Sequence, residues 1–236
     1  MIPIGKDKDA RRFPLVLWFL ILANLAIFLG QVYFGDAGTD VVRRWALVPE
    51  RLWHLRLADG ANGVKVYLLS AWLPVLTCMF LHGGWLHLLG NLVSLRVFGD
   101  QIEDRLGHVR FLLFYLMCGV CAALLHVAVA PHSRVPTLGA SGAIAGVLGA
   151  YLLLFPFEWV RFVVPVLIFP ILVKLPAIVY LLVWIATQVL GGYRTLADGS
   201  PAAGGIAFWA HIGGFLAGMY WIHGWRRHGA KRARRR

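Results

Sequence analysis

Residues 137–155 read TLGASGAIAGVLGAYLLLF, and this stretch decides the fold. It carries no charge and approaches the roughly 20 apolar residues that a helix needs to cross a hydrocarbon core. Gly142 and Gly146 stand four residues apart, so they share one helix face. A face without side chains lets another helix backbone approach closely. Ser141 interrupts the apolar run near its start, which places a hydroxyl within the first turns of a membrane span.

Five further candidate spans lie to either side: Pro14–Tyr33, Trp85–Glu103, Arg110–Ala130, Leu175–Leu190 and Ile206–Trp225. The fifth in chain order needs an argument. Residues 161–192 are too long for one helix, Pro165, Pro170 and Pro176 would each break its hydrogen bonding, and Lys174 would lie near its middle. A connector at the membrane surface ending near Lys174 removes these conflicts, with Pro176 in the first turn of the helix that follows. Residues 35–84 form a long connection, expected as a partly membrane-embedded loop with short helices; a short extra span at 66–81 is the alternative there. The expected fold class is an all-α polytopic membrane protein of six transmembrane helices.

The composition agrees. Of 236 residues, 59% are hydrophobic and 14% charged, against about 45–50% and 25% in soluble domains. This excludes a disordered chain and disfavours a soluble globule. The formal net charge of +12 comes from 23 Lys and Arg against 11 Asp and Glu. On a soluble chain it would suggest nucleic acid; here the cations lie between and beyond the apolar runs, so membrane topology explains them better and no nucleic-acid partner is expected. Lys6, Lys8, Arg11 and Arg12 precede the first span, and Arg226, Arg227 and the terminal KRARRR follow the last. Both ends therefore read as cytoplasmic. The chain divides into an N-terminal segment, 1–13, a membrane domain, 14–225, and a basic tail, 226–236. Asp7 and Asp9 argue against a mitochondrial presequence in the first segment, and the apolar run that follows is too long for the core of a cleaved signal peptide. Cys78, Cys118 and Cys121 are odd in number, lie in apolar context and read as packed thiols.

With this topology the second, fourth and sixth spans run from outside to inside, and their first turns hold unusual polar residues. His87 and Asn91 share a face of the second, Ser141 lies in the fourth, and His211 is about one turn into the sixth. Polar groups inside a membrane are costly and usually face a bundle interior or a wet cavity. Taken singly, a membrane serine bonds its own helix backbone and a histidine or asparagine glues helices together. The shared depth favours a site. Gly142 and Gly146, packed against Gly214 and Gly218 of AHIGGFLAG, would bring Ser141 within reach of His211 as its general base. The free backbone N–H groups at the start of the fourth span, with His87 and Asn91, could hold a negative oxygen. No acid lies in the fourth or sixth span to complete a triad, so the pattern is a Ser–His dyad. A metal site or transporter built from His82, His87 and His211 is disfavoured, because no carboxylate and no HExxH spacing accompanies them; no metal or organic cofactor is implied for the dyad.

These residues resemble the rhomboid intramembrane serine proteases, of the basic six-helix, mostly prokaryotic type. Gly139-Ala140-Ser141-Gly142 is similar to the family's GxSG, Ala210-His211 with Gly214 and Gly218 to its AHxxGxxxG, and His82, His87 and Asn91 to its second-helix motif. Glu103, near the inner end of that helix, also fits. The resemblance implies that Ser141 is the nucleophile, His211 the base, and His87, Asn91 and the Ser141 amide the oxyanion hole. It also implies transmembrane protein substrates entering past the fifth span, and a multi-pass location in the cell (inner) membrane. Two positions depart from the family pattern. Ala145 stands where many members carry a tyrosine that packs against the imidazole, so His211 must be supported from elsewhere. Arg44-Trp45 reverses a Trp-Arg pair found in some members. A rhomboid-like pseudoprotease that binds membrane clients is the non-enzymatic alternative.

Overall fold

The first long apolar run forms helix α1 (Leu15–Tyr33) in the computed structural model of the chain, which describes residues 1–8, 10–53, 72–166, 169–197 and 206–233. Short helices α2 (Asp36–Trp45), α3 (Pro49–Trp53) and α4 (Pro74–Thr77), with a 3₁₀ turn at Cys78–Phe80, populate the described part of the long connection. The remainder of that connection, including the first part of 66–81, lies outside the described residues. Helices α5 (Trp85–Leu106), α6 (His108–Val129), α7 (Ser141–Leu154), α8 (Ala177–Ala197) and α9 (Phe208–Ala233) follow. Gly107, at φ 79°, lets α5 stop and α6 start within a single residue.

The fold is mostly helical, but the all-α expectation is corrected by a three-stranded antiparallel sheet. Strand β1 (Ile2–Lys6) pairs with β2 (Trp159–Val166), which pairs with β3 (Phe169–Pro176). The connector thus consists of two paired strands, and two of the prolines that bar a helix, Pro165 and Pro170, face each other across them. A strand accepts proline where no ladder donor is needed. Alternation along β2 decides its faces: Val160 and Phe162 are buried, while Trp159 and Arg161 are exposed. Phe162 meets Tyr180 of α8 at 4.5 Å, and Tyr180 lies parallel to Phe98 of α5 at 5.9 Å. The sheet is therefore anchored to both helices.

Among the described residues, three helices are long and apolar enough to cross a membrane: Leu15–Tyr33, His108–Val129 and Ala177–Ala197. Helix α7 is apolar but only 14 residues long. It begins four residues later than the sequence pattern suggests, because Thr137 is held in a backbone bridge to Leu47 and Gly139 takes φ 122°.

Helix α7 is the centre of the molecule, and its residues from Gly142 to Tyr151 are all buried. Gly214 and Gly218 of α9 press on its backbone; a Cβ at either would overlap the carbonyl of Gly142 or Gly146, respectively. Gly142 and Gly146 themselves face Ala122 and Cys118 of α6. Gly149, beneath Phe215, and Gly213, beneath Leu125, extend the same close packing.

Pro14 gives α1 no side-chain cap. Glu103 supplies one from α5: its carboxylate accepts from the amides of Val16 (2.9 Å) and Leu17 (2.7 Å), and its Oε1 lies 2.5 Å from His108 Nδ1. These amides are among the orphan donors of a helix start, and a negative charge suits the positive end of the helix dipole. Glu103 is itself buried, so its loss would strand several polar groups at once. Glu103→Ala is expected to cost about 3–5 kcal/mol, read as a lowered thermal midpoint in detergent. Glu103→Gln, which keeps an acceptor, is expected to lose clearly less.

Candidate active site

Ser141 is the first residue of α7 and His211 lies about one turn into α9. The backbone approach of α9 onto α7 sets their separation: His211 Nε2 is 2.8 Å from Ser141 Oγ. A neutral imidazole that accepts the serine hydroxyl proton at Nε2 must carry its own proton on Nδ1. His211 Nδ1 lies 2.7 Å from Oε1 of Gln188, on α8. Trp184, one turn before Gln188, packs its ring against the imidazole, with centroids 5.8 Å apart and planes at 36°.

Ala145 is buried and stands close to Gly214, so the side of the histidine that a tyrosine would support has no such ring. Trp184 and Gln188 flank the ring from the next helix instead. Sequence reasoning missed both. The signal available was Gln188 itself, an amide in an apolar run, buried without a charge to match.

His87 and Asn91 lie beside the backbone just before Ser141. A Cβ placed on Gly139 would stand 2.6 Å from His87 Nε2 and 3.7 Å from Asn91 Nδ2. Glycine is required here twice, by its positive φ and by the ring above it. Because α7 begins at Ser141, the amides of its first turn have no partner within the helix. Side-chain N–H groups and free backbone N–H groups thus lie on the same cavity as the hydroxyl, the kind of donor set that can hold a developing oxyanion. A cavity of about 540 Å³ opens here, lined by His87, Asn91, Ser141, Trp184, Gln188 and His211 among others. A smaller one, about 160 Å³, lies between His87, His126 and Thr137.

Asn91 is oriented in turn. Its Nδ2 lies 3.0 Å from His82 Nε2, so the amide donates and His82 accepts. Gln31 of α1 clamps the His82 peptide from both sides, donating to its carbonyl at 3.0 Å and accepting from its amide at 3.1 Å. Burial, reinforced by the neighbouring His87, lowers the pKa of His82 from 6.5 to about 4. A depressed histidine pKa means that the folded state prefers the neutral ring. Its contribution is fully present above pH 6.5 and is lost as the pH falls through about 4. A protonated His82 could no longer accept from Asn91. The thermal midpoint of the parent is therefore expected to fall more steeply across this window than that of His82→Gln, which has no ring to protonate. Parallel curves would show that His82 does not carry the effect.

Among the described residues no group of three or more His, Cys, Asp or Glu side chains could hold a metal ion. His82 and His211 are engaged with Asn91 and Ser141, respectively.

The arrangement is that of a mostly helical protein with membrane-capable helices and a serine–histidine contact lining a cavity. The chain matches the Rhomboid domain over residues 69–227 and belongs to the rhomboid family, which includes intramembrane serine proteases. It is similar to RHOMBOID-like protein 5 of Arabidopsis thaliana, with 30% identity over 88% of this chain and 67% of that protein. RHOMBOID-like protein 2 of the same plant is 34% identical over 85% of this chain and 63% of that protein. Rhomboid protease GluP of Bacillus subtilis is 32% identical over 57% of this chain, but that match covers 23% of GluP. The chain thus spans about two-thirds or less of the length of these relatives.

Proposed function

We propose that this protein is an intramembrane serine endopeptidase that hydrolyses peptide bonds in or near the transmembrane segments of other membrane proteins. The observation that carries the reading is the 2.8 Å contact between His211 Nε2 and Ser141 Oγ, with donors gathered beside it.

Ser141 Oγ attacks the scissile carbonyl while its proton passes to His211 Nε2. The carbonyl oxygen becomes an oxyanion, held by the Ser141 amide, His87 and Asn91. The tetrahedral intermediate collapses, the C–N bond breaks, and His211 returns the proton to the leaving amine. Water, deprotonated by His211, then releases the acyl group and restores the serine. Every step is a proton transfer or an acyl transfer, and none calls for a cofactor.

Six helices, α1 and α5–α9, cross the bilayer in this reading, with both ends in the cytoplasm beside their basic residues and the inner membrane as the site. The cavity beside α8 is where an unwound substrate segment reaches the serine.

The test is cleavage of a model transmembrane substrate by the reconstituted protein, together with fluorophosphonate labelling of Ser141. Both are expected, and both are expected to disappear in Ser141→Ala and to collapse in His211→Ala. Undiminished cleavage by these variants would overturn the assignment. A serine that never labels would favour a client-binding pseudoprotease.

A further inference from the structure

We propose that Gln188 is a positioning residue for His211: its side-chain oxygen holds the imidazole in the one tautomer that can take the Ser141 proton. This rests on the hydrolytic reading above and goes beyond it by assigning a third member, carried on a third helix, to the serine–histidine pair.

A neutral imidazole places its proton on Nδ1 or Nε2, and the hydrogen bond made by one nitrogen decides the state of the other. Ser141 faces Nε2, which must be bare to accept its hydroxyl. The group facing Nδ1 must then be an acceptor. Gln188 Oε1 is one, at 2.7 Å.

An amide can also turn the other way. Reversed, Gln188 would offer N–H to Nδ1, drive the proton onto Nε2 and leave the base occupied. The surroundings forbid this. Gln188 Nε2 donates to Thr187 Oγ1 at 3.1 Å and to the Trp184 carbonyl at 3.3 Å. The Thr187 hydroxyl spends its own hydrogen on the Trp184 carbonyl at 2.6 Å, which leaves its oxygen as an acceptor. The amide nitrogen is thereby tied to its own helix, and the oxygen is the end left to face the histidine. Trp184 lies against the imidazole ring and limits its rotation.

An amide also suits the setting. A carboxylate at this depth would need desolvation and a partner. Gln188 supplies the directional acceptor without the charge. Helix α8 is seated against α9 where Trp209 lies on Gly192; a Cβ there would meet the indole at 3.1 Å. The acceptor and the flanking ring therefore reach His211 only while α8 is docked.

The experiment compares Gln188→Leu and Gln188→Glu with the parent in liposomes. It measures kcat and KM for a transmembrane substrate, and records the ring ¹⁵N spectrum of His211, assigned by its absence in His211→Ala. Gln188→Leu is expected to lower kcat about 10- to 100-fold, the size of loss seen when the hydrogen-bond partner that orients a metal-bound histidine is removed, with KM nearly unchanged. Its His211 should lose the Nδ1–H form. Gln188→Glu, which still offers an oxygen, should recover most of kcat and the tautomer. Parent-like kcat in Gln188→Leu, with His211 still protonated on Nδ1, would overturn the proposal. Gln188→Met serves if the leucine variant fails to fold. If the parent shows no Ser141-dependent cleavage, the hydrolytic reading falls, and the spectra alone still decide whether Gln188 sets the tautomer.

Discussion

Cleavage by Ser141→Ala is expected to fall by on the order of 10⁴-fold or more, and His211→Ala by a comparable factor. The two side chains make one device, joined by a single 2.8 Å contact. Without the hydroxyl the imidazole has no proton to take, and without the imidazole the hydroxyl remains a poor nucleophile. The losses should therefore not add, and the double variant is expected to cleave no more slowly than the worse single one. Residual turnover should come from the oxyanion donors, which neither substitution removes. Two independent losses that multiply in the double variant would show that the residues act separately. The relevant measurement is initial rate at saturating substrate, with folding of each variant checked by its thermal midpoint.

Gly214→Val is expected to have the next largest effect, by a different route. A Cβ at Gly214 would overlap the carbonyl of Gly142, the residue after the serine, and a valine adds two methyls to it. Helix α9 must retreat from α7. A retreat of about 1 Å carries His211 Nε2 beyond hydrogen-bond reach of Ser141, and a misplacement of that size can cost on the order of 10²-fold in rate. Overpacking adds a stability loss of about 1–3 kcal/mol. Gly218→Val separates the two effects. It meets the carbonyl of Gly146 in the same way but one turn farther from the histidine. It should destabilise as much while reducing fluorophosphonate labelling of Ser141 less. Parent-rate labelling of Gly214→Val would show that this packing does not set the contact.

The sequence made part of this legible. Ser141, His211, His87 and Asn91 stood out because water-loving groups are expensive in apolar runs, and the glycine spacing said which helix faces would approach. The sheet was hidden for a physical reason. Three prolines and Lys174 correctly excluded one long helix through residues 161–192, but strand pairing is non-local. The partner of Val160 is Lys6, far back in the chain and in a short segment whose isoleucines, Ile2 and Ile4, face outward. The alternation of Val160, Arg161 and Phe162 was present yet too short to read alone. Gln188 was hidden differently. A single amide in a membrane helix has the same appearance whether it glues two helices or orients a base, and only the fold puts its oxygen behind His211. The short span of α7 was also blurred, since Gly139 and the Thr137 bridge end the apolar run before the helix begins.

The ladder between β1 and β2 imposes a rule of parity. Hydrogen-bonded strands must lie on the same side of a bilayer, so the chain between Lys6 and Trp159 traverses it an even number of times. The proposed topology, in which α1, α5, α6 and α7 cross between the two strands, meets this count. One added traverse within 66–81 would leave the two strands on opposite sides of the bilayer, with the buried Lys6 ammonium cut off from the Asp100 carboxylate it pairs with. A few residues of sheet thus act as a proofreader of topology.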